Sequence, residues 1–305
     1  MDPRKPIDTQ AAGLMLLLCS IWALQQVLLK AAAVDITPMM QVALRSGMSA
    51  VLVWLLMRWR GERLDLGGRD LKPGLLVGLL FAVEFLFVAE GIRHTTASHA
   101  AVFLYTAPIF VALALHWRLP SERLNRVQWV GILLAFAGVA LAFLWRGANA
   151  AGNGASLLGD FLVVLGAMGW AGTTVAVRLT SLANAPATRT LQYQLVGAFV
   201  VLLPASLLMG LGTIHHTPLA WGSVLFQGIL VSFASYLVWF WLLRKYLASR
   251  LGVFSFMTPL FGVALGVWLL NDPLEPGFVL AAVLVLLGIL LVNGQAWLPR
   301  AFTRG

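Results

Sequence analysis

The chain has 305 residues, of which 60% are hydrophobic and only 11% charged, with a net charge of +9. Soluble domains carry roughly 25% charged residues, so a single water-facing globule is excluded and lipid must solvate most of the surface. The positive charge calls for no nucleic-acid partner, because Lys and Arg gathered in short cytoplasmic loops account for it.

The first element begins after Arg4 and Lys5. It reads as a retained span rather than a cleaved signal: residues 11–29 form 19 positions without a charge, and no A-x-A-like site follows. At ~20 residues per crossing, the chain divides into ten predicted spans at 10–30, 38–57, 74–92, 97–117, 127–145, 157–177, 188–210, 218–243, 251–271 and 276–297. Gly67-Gly68, Pro120, Gly152-Asn153-Gly154, Pro186 and Pro273 punctuate the gaps. The 54 uncharged residues between Arg189 and Arg244 are too many for one crossing, and Gly210-Leu211-Gly212 with His215-His216 supplies a turn. The lone cysteine, Cys19, lies in the first apolar run and reads as a buried thiol.

With a cytoplasmic N-terminus, 17 of the 21 Lys and Arg residues fall on the cytoplasmic side and three outside, and Arg45 lies within a span. This asymmetry predicts that both termini are cytoplasmic.

The halves repeat. Trp22 and Lys30 return as Trp170 and Arg178, and Pro38 returns as Pro186, all at an offset of 148. Ala97-Ser98, Val102-Phe103, Pro108 and Phe110 return as Ala248-Ser249, Val253-Phe254, Pro259 and Phe261 at an offset of 151. Leu124 and Gly138 correspond to Leu274 and Gly288. Five spans per half is an odd number, so the second half enters the membrane from the opposite side as an inverted repeat. The expected division is a cytoplasmic segment 1–9, a first five-helix unit 10–146, a linker 147–156, a second unit 157–297 and a cytoplasmic tail 298–305.

Polar groups within spans are costly unless they face a cavity or a partner. Trp22 and Gln26 share a face of the first span, with Gln25 beside them. Amides suit a carboxylate or an ammonium, and an interhelical hydrogen bond is the competing reading. Glu84 lies about 15 Å into the third span and reads as a coupling or ammonium-binding carboxylate, or as a structural partner. Glu90, nearer the boundary, reads as structural. Arg45, about 10 Å into the second span, is expected to pair with a glutamate. Tyr105 sits one turn from Pro108, and Ser255 one turn from Pro259. The two prolines form a symmetric pair of hinge candidates, with a fixed kink as the alternative. Ser232, Ser235, Tyr236 and Trp239 follow the i, i+3, i+4, i+7 spacing of one helical face, either a substrate wall or a helix interface. Gly74-x3-Gly78 and Gly262-x3-Gly266 read as close-packing faces. No phosphate loop, H-E-x-x-H or G-x-S-x-G motif occurs, so neither ATP drive, metal, cofactor nor hydrolysis is expected.

The repeated unit resembles the EamA-type unit of the drug/metabolite transporter superfamily. The resemblance rests on Trp22/Lys30 and Trp170/Arg178, on Pro108 and Pro259, and on Glu122-x-Leu124-x3-Gln128-x2-Gly131-x6-Gly138-Val139. The second half departs from that last pattern at Asp272, Phe278 and Gly288-Ile289. Within the superfamily the aromatic-rich interior is most like the YddG-type amino-acid exporters. The resemblance implies an all-α fold of ten transmembrane helices in two inverted five-helix repeats around a central cavity. It also implies a bacterial inner-membrane secondary transporter that exports aromatic and other small amphipathic amino acids by alternating access. Trp22, Gln25, Gln26, Tyr105 and Trp170 would bind substrate, with Glu84 polarising the site. A monomer with a small-molecule substrate in a lipid bilayer is expected. Efflux of drugs or other metabolites is the alternative, and a membrane-embedded lipid enzyme is a weaker one because acids are few and scattered.

Overall fold

The computed structural model describes residues 8–62, 68–119, 123–148, 156–246, 251, 254, 255 and 257–293. Residues 1–7, the 298–305 tail, most of the 147–156 linker, and Gly67, Pro120, Glu122, Ala248, Ser249 and Val253 of the sequence argument lie outside these. The described chain is helical: α1 Thr9–Ala31, α2 Pro38–Trp59, α3 Leu71–His94, α4 Ala97–Leu104, α5 Ala107–Arg118, α6 Arg126–Ala148, α7 Leu157–Leu179, α8 Ala187–Leu208, α9 Pro218–Leu225, a π-helical stretch Phe226–Ser235, α10 Tyr236–Lys245, α11 Met257–Leu270 and α12 Pro276–Asn293.

Local chemistry sets the ends. The Asp8 carboxylate accepts from the Ala11 amide at 2.8 Å and opens α1. Thr37, Thr96, Ser156 and Thr217 cap α2, α4, α7 and α9 with side-chain oxygens, and Pro38 and Pro218 occupy first-turn positions where no amide proton is needed. Gly61 and Gly210, at φ of 69° and 70°, turn the chain out of α2 and α8, a conformation that costs any residue with a Cβ. These two helices are repeat counterparts.

Among the described residues, seven helical stretches are long and apolar enough to cross a membrane: Thr9–Val34, Pro38–Trp59, Leu71–His94, Ala97–Arg118, Leu157–Leu179, Ala187–Leu208 and Pro218–Leu242. Three further apolar helices are shorter: Arg126–Ala142, Met257–Leu270 and Pro276–Val292.

The packing mirrors the duplication. Counterparts lie against each other: α2 on α8, α4 on α11, and α6 on α12. At the α6–α12 crossing, a Cβ on Gly131 would meet the Gly288 carbonyl at 2.7 Å, and one on Gly138 would meet the Ala281 carbonyl at 2.7 Å. Shifting Gly131 and Gly138 by the 150-residue offset of Leu124 and Leu274 gives Ala281 and Gly288, so the contact set maps onto itself. Such a two-fold crossing needs small residues on both helices for the backbones to approach.

Both glycine faces read from the sequence pack closely. Gly74 and Gly78 receive Tyr193 and Gly197 of α8, while Gly262 and Gly266 receive Ala101 and Ser98 of α4. One pairing breaks the exchange. Helix α3 packs along α7, whereas its counterpart contact, between α1 and the segment from α9 to α10, is slight.

Candidate functional site

Three of the spans are discontinuous. The fourth predicted span is two helices, not one: α4 stops at Leu104 and α5 restarts at Ala107, with Pro108 in its first turn. The Thr106 hydroxyl donates to the Phe103 carbonyl at 2.7 Å, alongside the Thr106 amide at 3.1 Å, and closes the end of α4. The ninth span likewise restarts, as α11 at Met257 with Pro259 buried in its first turn. Each proline sits where its missing amide proton breaks no helical bond. The eighth span passes through ten π-helical residues. Broken helices at membrane depth are tolerated where they line a cavity or lie buried in protein, and they turn dipoles and free backbone groups inward.

Two opposite charges are buried beside these breaks. Arg45 of α2 is 0% exposed and Glu84 of α3 is 5% exposed. The expected direct pair between them does not form. Arg45 Nη1 instead donates to Gln227 Oε1 at 3.1 Å, and the guanidinium lies over the Phe85 ring, 4.4 Å from its centroid. Arg45 Nε and Nη2 and Glu84 Oε2 have no hydrogen-bond partner. Helix geometry explains the miss. Gly169 and Gly166 of α7 let the backbone of Glu84 seat against that helix, so α3 presents Phe85 to Arg45 and leaves the carboxylate apart from it.

Arg45 is fixed by a polar network through Gln227, a polar residue of the eighth span, whose other members, Gln41 and Ser223, the sequence reading passed over. Gln227 donates to Gln41 Oε1 at 3.0 Å and to Ser223 Oγ at 2.8 Å, and Ser223 donates to Gln41 Oε1 at 2.7 Å. Gln41 Nε2 donates to the Leu29 and Ile36 carbonyls, which anchors the network to the end of α1. The available signal was spacing. Gln41 and Arg45 are i, i+4 on α2 and share a face, and Ser223 and Gln227 are four apart across the junction of α9 and the π-helical stretch, where they bond directly.

The aromatic candidates take separate partners. The Trp22 indole donates to Ser235 Oγ at 2.9 Å and meets Trp239 edge-on at 5.7 Å. Trp170 meets Tyr105 edge-on at 5.5 Å. Gln25 and Gln26 are buried, and Gln26 Oε1 has no partner. Ser232 and Ser235 are buried as well.

The single face predicted for Ser232, Ser235, Tyr236 and Trp239 is corrected. The π-helical stretch ends at Ser235, and its i→i+5 bonding breaks the 3.6-residue register on which that reading depended. Ser235 and Trp239 turn to Trp22 of α1, while Tyr236 packs into the cluster of Ala50, Val53 and Leu191 between α2 and α8. Ser255 lies in the turn before α11, where its carbonyl accepts from the Thr258 amide at 3.0 Å. Cys19 is buried, and its thiol lies 3.4 Å from the Phe254 carbonyl. Glu90 pairs with Arg93 at 2.7 Å near the end of α3.

Other buried polar groups tie helix ends together. Asp160 at the start of α7 meets His99 Nδ1 at 3.1 Å and accepts from the Thr95 hydroxyl, and His99 stacks on Phe278 at 3.8 Å. Asp272 accepts from the Ser98 amide and hydroxyl, each at 2.8 Å, beside the first turn of α4.

At the face where α3 and α8 begin, Asp70 accepts from Ser181 and pairs with Arg189 at 2.8 Å. The Ser181 hydrogen bond first, and Arg189 second, hold its carboxyl below the usual carboxylate range. On the opposite face Thr217 donates to Asp35 at 2.7 Å, and Ile36 bridges to Ile214.

Two packed helical repeats, broken spans and buried charges at membrane depth define a polytopic membrane transporter. The EamA-like transporter family matches residues 9–144 and 157–294, and the chain belongs to that family. It is 24% identical over 272 residues to YoaV, an uncharacterized transporter of Bacillus subtilis (strain 168), with 89% of this chain and 92% of that protein covered. It is 32% identical over 228 residues to an uncharacterized transporter of Archaeoglobus fulgidus, with 73% and 78% covered. A solved crystal structure superposes with a TM-score of 0.63 at 21% identity, over 95% of this chain and 97% of that one, and shares the fold.

Proposed function

We propose that this EamA-family protein is a ten-span secondary transporter that exports zwitterionic α-amino acids, aromatic and other small amphipathic ones, across a bacterial inner membrane with both termini cytoplasmic. The carrying observation is the pair of buried, unmatched charges. Arg45 keeps two guanidinium nitrogens, and Glu84 one oxygen, without partners in an interior where an unpaired polar group costs several kcal/mol. A zwitterion bound between them would satisfy both ends: its carboxylate on the Arg45 fork, its ammonium on Glu84. Trp22, Gln25, Gln26, Tyr105, Trp170, Ser232, Ser235, Tyr236 and Ser255 would form the surrounding wall, and Pro108 and Pro259 the hinges. The unequal α3–α7 and α1–α10 contacts support alternating access, because an inverted repeat changes state by exchanging the packing of its halves.

The second reading, efflux of a lipophilic cation or another metabolite, rests on the rings of Trp22, Trp239, Tyr105 and Trp170. One assay separates the two: counterflow of labelled amino acids and a lipophilic cation in proteoliposomes holding wild type or the Trp22→Ala variant. Saturable amino-acid counterflow that is lost in the variant supports the proposal. Counterflow of the cation alone transfers the site to the second reading, and flux that neither saturates nor shows trans-stimulation makes the protein a channel.

A further inference from the structure

A groove of about 510 Å³ runs along the outer seam of α2 and α8. It is within the range of ligand pockets, roughly 300–1,000 Å³. Leu44, Val51 and Trp54 of α2 form one wall, and Gln192, Val196 and Phe199 of α8 form the other. Val51 is 57% exposed and Val196 40% exposed on helices that span the membrane, so the groove opens toward hydrocarbon.

Three features give the groove a chemistry. Its apolar walls match an acyl chain. Gln192 is 5% exposed, yet its Oε1 has no donor, which leaves a buried acceptor in the groove wall. The third is a cation at one end: the exposed Arg58 guanidinium lies over the Trp54 ring at 5.6 Å, at the end of α2. Gln192 follows the start of α8 by five residues and Trp54 precedes the end of α2 by five. The Thr188–Glu62 hydrogen bond puts those two ends on one side. Acceptor, indole and cation therefore lie at one mouth of the groove, and Thr188 already engages the nearby Glu62 carboxylate.

We infer that this seam holds one anionic glycerophospholipid with a hydroxylated headgroup. The phosphate sits on Arg58, a headgroup or glycerol hydroxyl donates to Gln192, and an acyl chain lies between Val51 and Val196. A phosphocholine lipid offers the chain and the phosphate, but it carries no net negative charge and no headgroup hydroxyl.

The test is native mass spectrometry of the full chain from detergent micelles containing equal dioleoyl phosphatidylglycerol and dioleoyl phosphatidylcholine. Wild type is expected to retain one phosphatidylglycerol in preference to phosphatidylcholine. Arg58→Gln is expected to weaken that preference about fivefold, the equivalent of one surface cation. Val51→Trp fills the groove and should lower retention of both lipids about fivefold or more. Val196→Trp does the same from the opposite wall and serves if Val51→Trp does not fold. Unchanged retention in the folded groove-filling variant overturns the site, and equal retention of both lipids by wild type overturns headgroup recognition. A dimer that the groove-filling substitution splits would assign the seam to a second copy of the chain instead.

Discussion

If Arg45 and Glu84 hold the two ends of a zwitterion, removing either should erase recognition of one end alone. In Arg45→Met the protein loses the Gln227 hydrogen bond and the Phe85 contact. These contribute about 1.5–3 kcal/mol and about 0.5–2 kcal/mol respectively. Both losses are offset by removing a buried charge with two unpartnered nitrogens, so the thermal midpoint should move little. Binding should change far more. Truncating one partner of a buried charge contact costs about 2–5 kcal/mol, or about 30- to 4,000-fold in affinity. The assay is competition of phenylalanine, its decarboxylated amine and its deaminated acid against labelled phenylalanine in proteoliposomes. Arg45→Met should weaken the amino acid and the acid while sparing the amine, and Glu84→Gln should weaken the amino acid and the amine while sparing the acid. If Arg45→Met weakens the amine as much as the amino acid, Arg45 acts through the Gln41–Ser223–Gln227 network and not on substrate.

Gly288→Ala would place a Cβ 2.4 Å from the Gly131 carbonyl. Overpacking of that kind costs about 1–3 kcal/mol, so a thermal midpoint in detergent equal to wild type would show that the α6–α12 crossing is not close. Asp70 titrates below its unfolded value of 3.8, so its contribution to stability is present above that value and is lost as pH falls through the folded one. Its clasp is partly exposed and contributes about 1 kcal/mol or less; Asp70→Asn should lower the melting midpoint at pH 7 and approach wild type as the pH falls below 3.8 through the lowered folded value, and parallel curves would refute the clasp. Pro108→Ala is expected to slow counterflow severalfold while leaving substrate affinity within about twofold, because a hinge acts on rates of exchange between states. Unaltered counterflow would reduce Pro108 to a fixed kink.

Much of the architecture was legible before any coordinates. Mean composition, runs of about 20 apolar residues and the 148–151 offsets are properties of the chain alone, because lipid requires every span to close its own backbone hydrogen bonds. Gly74, Gly78, Gly262 and Gly266 were readable as close-packing faces for the same reason: only a missing Cβ lets helices approach there. The helix breaks were half legible, since Pro108 marks a disturbance but does not say that the chain restarts at Ala107.

Tertiary structure decided the interior. Which group Arg45 meets depends on the rotation of α3, and glycines on a different helix, α7, set that rotation by admitting the Glu84 backbone. The apparent face of Ser232, Ser235, Tyr236 and Trp239 dissolved because a π-helical stretch changed the period, and periodicity is the assumption such a reading rests on. Gln41, Ser223 and Gln227 lie up to 186 positions apart and join only when α2 and the eighth span pack. Spacing along one chain reports which residues share a helix face. It carries no information about which faces meet, because that is settled by the packing of all the helices at once.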